Sequence, residues 1–183
     1  MNLDALNMFL SDGNIKRHLD YLLRLRLQYS ILEKSVPKLK GCSMSNILRL
    51  NIDRDVKDEA LSLMWNIKSH ECFFDSFDIN QSKVSLSYTS AEQLLYDIYT
   101  EAMKRDFGFI YMFESKQSGI NMIFSDKNDG AIMKNQPILA LDLYEHTYFW
   151  DYGFDKKRFL QNALPYLRLS SLDKNAEKGY NKM

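Results

Sequence analysis

Two long stretches of helical periodicity, joined by a breaker, constrain this chain more than any other feature. From Asp12 to about Glu33, Ile15, Leu22 and Tyr29 recur at the spacing of one helix face, and Ser11 stands where an N-cap belongs. Pro37, Lys38, Lys40 and Gly41 interrupt the pattern. A second stretch, about Asp55 to Phe74, carries Ala60, Leu63, Ile67 and Phe74 on one face. Two such helices joined by a breaker predict a helical hairpin, with the apolar stripes turned inward.

The pattern then changes. Asp75 to Thr89 is polar and turn-rich, and it predicts a division into an N-terminal helical domain, residues 1–80, and a C-terminal α/β domain, residues 81–183. A helix is expected from Ser90 to about Lys104. Three short strands are expected at Phe107 to Phe113, Gly119 to Phe124 and Gln136 to Leu143, the first two joined by a hairpin at SKQSG. A helix from about Asp155 to Leu167 follows, and the tail from Ser170 to Met183 should fray. The fold class is therefore α+β: a helical hairpin, then a three-stranded antiparallel sheet with flanking helices.

Composition removes several function classes. Lysine plus arginine and aspartate plus glutamate number 24 each, so the formal net charge is zero and a general nucleic-acid coat is not expected. No apolar run approaches the length of a membrane span. MNLDALNMFLSDGN lacks a basic leader and apolar core, which predicts residence in the cytoplasm or an organelle matrix. Cys42 and Cys72 are the only cysteines, too few for a disulfide framework, and a reducing compartment is the simpler expectation.

The chain has three histidines, and their positions are informative. His18 follows Ile15 by three and precedes Leu22 by four, so it lies on the buried stripe of the first helix. His70 stands in the same relation to Ile67 and Phe74 on the second. Asp142 ends the apolar run ILALDL, and His146 follows four residues later. A buried imidazole needs partners for its ring nitrogens, and a buried carboxylate must be paired or metal-bound. Taken one by one, these are better read as satisfied core residues or a chance pair. Together, His18, His70, Asp142 and His146 form a donor set suited to a borderline transition metal with one position open, and zinc would accept it too.

The segment LALDLYEHTYFWDY resembles the metal-ligand signature of the iron/manganese superoxide dismutase family. Asp142, Glu145, His146, Tyr148, Asp151 and Tyr152 match it, while Tyr144, Thr147 and Phe149 replace a tryptophan, an alanine and a tyrosine. FLSDGNIKRH and SHECFF resemble the segments that carry the family's first two histidine ligands, and MKRDFGFIYMF resembles the entry into its first strand. The resemblance covers most of Phe9 to Phe159. It implies one iron or manganese ion per chain, held by His18, His70, Asp142 and His146, and conversion of superoxide to oxygen and hydrogen peroxide. It also implies a homodimer in which Glu145 reaches the partner's ligand histidine.

The surrounding residues depart from the family. Leu22 stands where a histidine is usual and Arg26 where a tyrosine is usual. Asn66 and Asp129 stand at the two places that can supply a glutamine. Arg26, Asn66 and Asp129 are the candidate groups acting on bound solvent and substrate, and activity should be reduced. The alternative from another class is a non-enzymatic binding or structural protein that keeps the fold.

Overall fold

The computed structural model describes residues 2–79, 90–115, 119–126, 137–169 and 172. Helix α1 (Leu3–Asn7) leads into α2 (Asp12–Ser35), which starts where the Ser11 hydroxyl accepts from the Asn14 N–H at 3.2 Å. A 3₁₀ turn (Pro37–Leu39) and α3 (Met44–Arg49) connect to α4 (Arg54–Asp75), capped by the Asp53 carboxylate on the Asp55 N–H at 2.9 Å. The expected hairpin is therefore present: α2 and α4 pack together along the stripes that carry Ile15, Leu22, Ala60, Ile67 and Phe74. Both helices run slightly further than periodicity predicted. The short helices α1 and α3 were not expected.

Beyond the described part of the connection lies α5 (Ala91–Met103), close to its expected bounds. The three strands are β1 (Phe109–Ser115), β2 (Gly119–Ser125) and β3 (Leu139–Asp142), in the antiparallel order β2-β1-β3. Strand β1 begins at Phe109 rather than Phe107. Gly108 has φ +116°, and a Cβ there would lie 2.8 Å from the Ser125 carbonyl oxygen, so the chain turns into the sheet on a residue only glycine fills well. Strand β3 is shorter than expected, and Gln136 lies outside the described residues, as do residues 116–118, where the hairpin turn was expected, residues 80–89, where the domain division was expected, and all of the tail from Ser170 except Leu172.

After β3 comes α6 (Glu145–Tyr152), an eight-residue helix that the spacing did not reveal, then α7 (Lys156–Ala163). The last expected helix ends early because Pro165 has no N–H to continue it, and the chain finishes in a 3₁₀ turn (Leu164–Tyr166). One apolar core takes residues from both ends of the chain: Phe9 lies 4.8 Å from Phe77 and 6.2 Å from Phe159, centroid to centroid. No helix among the described residues is long and apolar enough to cross a membrane.

Candidate metal centre

Strand β3 is buried along its whole length, and its last residue is an acid. Asp142 sits opposite Phe109 with no solvent exposure. Its Oδ1 accepts from the Tyr144 N–H at 2.9 Å, which fixes the carboxylate and leaves Oδ2 with no hydrogen bond. Three imidazoles face that oxygen. His146 Nε2 is 3.3 Å away, His18 Nε2 3.4 Å and His70 Nε2 3.6 Å. His18 arrives from α2, His70 from α4 and His146 from the first turn of α6. The four donor atoms all lie within 4.8 Å of one another.

The protonation pattern follows from this placement. The His70 Nδ1 lies 2.7 Å from the Asn66 carbonyl, which can only accept, so Nδ1 carries the proton and Nε2 turns its lone pair to the centre. Burial pushes His70 down to about 4 and lowers His18 as well, against the pull of Asp142. Burial also opposes charge on His146, but Asp142 outweighs it and the net direction is upward. For Asp142 itself burial favours the neutral acid, yet the three imidazoles hold the carboxyl well below its usual range.

The set fits a metal ion. Donors about 2.0–2.2 Å from a small transition ion stand about 3–4 Å from each other, and the separations of Asp142 Oδ2 from the three imidazoles, 3.3–3.6 Å, and of His70 Nε2 from His146 Nε2, 3.2 Å, fall in that range. Neither His18 ring nitrogen has a hydrogen-bond partner, although the side chain is fully buried. Such orphaned groups around one point are costly unless a cation satisfies them. A dry sheath surrounds them: Phe73 and Phe74 lie 5.1 and 4.9 Å from His18, and Phe109 meets His70 edge-on at 5.3 Å.

The other sequence-derived candidates stand differently. Arg26 is half exposed, and its Nη2 donates to Glu71 Oε1 at 2.9 Å. Eight residues beyond His18 is about 80° round the helix, which carries the guanidinium to the shoulder facing α4. Asn66 meets His70 Nδ1 through its carbonyl, while its side-chain Nδ2 donates to the Ser62 carbonyl at 2.9 Å along its own helix. Asp129 lies outside the described residues.

Two features escaped sequence reasoning. Tyr21 leans on His146 and His70, with ring centroids at 4.9 and 5.2 Å; its spacing of three from His18 was the available signal. The second is a clamp behind the site. The Asn14 amide donates to the Thr147 carbonyl at 2.9 Å and to Asp151 Oδ2 at 3.0 Å, and the Ser11 N–H donates to the same oxygen at 2.9 Å. Tyr152 adds a hydrogen bond from its hydroxyl to the Phe9 carbonyl. Together these fasten α6 to the start of α2.

A family model described as iron/manganese superoxide dismutases, C-terminal domain, matches residues 78–175. The chain is similar to a protein named superoxide dismutase [Mn] 1 from Halobacterium salinarum, 36% identical over 52 residues, which is 28% of this chain and 26% of that one. It is similar to a superoxide dismutase [Mn] from Haloarcula marismortui, 41% identical over 54 residues, covering 29% and 25%. With a superoxide dismutase [Mn] from Haloarcula hispanica it shares 59% over 29 residues, covering 15% and 20%. These matches span about a quarter or less of the relatives' own lengths. The family match extends over more than half of the chain, through β3 and α6 where Asp142 and His146 stand, and so this chain belongs to the iron/manganese superoxide dismutase family.

Proposed function

We propose that this protein holds one iron or manganese ion through His18, His70, Asp142 and His146 and converts superoxide to oxygen and hydrogen peroxide at a reduced rate. The observation that carries this reading is the single buried Asp142 oxygen faced by three Nε2 atoms at 3.3–3.6 Å, with no hydrogen bond to satisfy it. The bound ion would supply the one-electron redox change on which dismutation depends.

The chain's own residues do the rest. Asn66 holds His70 in the tautomer that offers Nε2, and the Tyr144 N–H orients Asp142. The phenylalanines around His18 and His70 keep water from competing for the donors. The reduced rate follows from what is missing. Leu22 is apolar, and the Arg26 guanidinium is tied to Glu71. Asp129 remains our candidate for a group acting on bound solvent. Glu145 is exposed at the start of α6, and we place it in a homodimer contact, beside the partly exposed Phe149 and the exposed Trp150.

The placement of Arg26 and Asn66 away from the donor atoms favours a second reading, a metal-binding protein that no longer turns over superoxide. The two separate cleanly by experiment. Protein purified without added metal is assayed for iron and manganese and for superoxide consumption. We expect about one ion per chain with measurable dismutation. Metal without dismutation would establish the second reading, and absence of both would overturn the site.

A further inference from the structure

Access to the centre is one-sided. His18, His70 and Asp142 are closed to solvent, whereas His146 keeps 35% of its side-chain surface. A small molecule that meets the donor atoms therefore arrives along the edge of His146. Two tyrosines flank that imidazole. Tyr144 stacks on it at 5.6 Å with an interplanar angle of 18°. Tyr21 lies 4.9 Å away and also leans on His70, so one ring spans the two imidazoles whose Nε2 atoms are 3.2 Å apart.

The two hydroxyls are not equivalent. Tyr144 donates to the Asp126 carbonyl at 3.0 Å and is committed to the loop. Tyr21 is 38% exposed, and no hydrogen bond engages its hydroxyl among the described residues. Its neighbours on α2 offer no substitute: Leu22 is buried and apolar, and Arg26 is occupied by Glu71.

We propose that Tyr21 is the entrance residue of this centre, its ring bounding the opening beside His146 and its hydroxyl donating a hydrogen bond to the small monovalent anion that enters. The proposal rests on the reading of the four clustered side chains as a metal centre. A neutral phenol suits the task, because it stabilises a monoanion without adding a second cation beside the metal. The ring does separate work, closing off the face of His70 and His146 that would otherwise meet bulk water.

The test uses the full chain loaded with ferric iron and titrated with azide, a stable monoanion, followed by its optical absorption. Tyr21→Phe keeps the ring and removes only the hydroxyl. We expect unchanged iron content and azide affinity weakened about tenfold, the effect of losing one hydrogen bond to a charged group at a partly exposed position. Tyr21→Ala should weaken azide similarly and also release iron to EDTA several times faster, because the ring no longer covers the imidazoles. Wild-type azide affinity in iron-loaded Tyr21→Phe overturns the role of Tyr21 while leaving the metal centre standing. A wild-type chain that takes up no iron overturns both.

Discussion

His146 is the donor on which the cluster depends most visibly, because it is the nearest imidazole to Asp142 and the only one of the three open to solvent. Replacing it with alanine leaves the Asp142 carboxylate with two imidazole partners and widens the side of the centre that is already open to solvent. In the metal-loaded protein the consequence is larger. A thousandfold weaker affinity removes about 4 kcal/mol of metal-linked stability. We therefore expect His146→Ala to lose most of its bound metal and to show no rise in melting temperature when metal is supplied. Full occupancy with unchanged melting would remove His146 from the ligand set. Tyr21 marks the limit of reading at this scale. Its spacing from His18 was visible in the sequence, but the rings it touches come from α4 and α6, and only the tertiary packing brings them to it.

Helix α6 is short and has no side-chain cap, so its position depends on what holds it. Asp151 does much of that holding, through the N–H of Ser11 and the amide of Asn14. Partial burial favours its neutral form, but these hydrogen bonds prevail and keep the carboxyl below its ordinary 3.8. A depressed folded value means that the contribution is complete above about pH 3.8 and disappears as pH falls through the folded value. Asp151→Asn should accordingly be less stable than wild type by about 1 kcal/mol at pH 7, discounted for exposure. The gap in urea midpoints should narrow as the pH is taken below 3.8, whereas a gap constant with pH would show that charge is not the cause. The same helix explains what the sequence concealed. The long helices α2 and α4 were legible, histidines included, because one face of each is buried over many turns. Helix α6 gives only two turns of pattern, and α1 and α3 still less. Arg26 was a candidate because it stands where the family has a tyrosine, and its eight-residue offset from His18 carries it to Glu71. Asn66 was read for its side chain, and it meets His70 through its backbone instead.

For the whole molecule, the open side of the centre adjoins an apolar surface. Phe149, Trp150 and Phe154 are partly to largely exposed, Phe149 touches both of the others with ring centroids 5.9 and 5.2 Å apart, and Arg17 stacks over Trp150 at 4.4 Å. Glu145 lies on the same short helix, one residue before His146. An isologous contact across this surface would cover the aromatics of both copies and bring each Glu145 to the other's open edge. We expect a dimer at micromolar concentration in sedimentation, and a shift toward monomer in Glu145→Lys. Monomer alone at that concentration would rule the contact out. The clamp between α2 and α6 has one further consequence, in the order of events during synthesis. Asn14 and Thr147 are 133 positions apart, so the clamp closes only after most of the chain has emerged. Until then a growing chain presents His18 and His70 alone. Two imidazoles without the carboxylate bind copper and zinc in preference to iron or manganese. On the proposed ligand set, the fixed geometry and ligand type through which such a site selects its metal wait for Asp142 and His146.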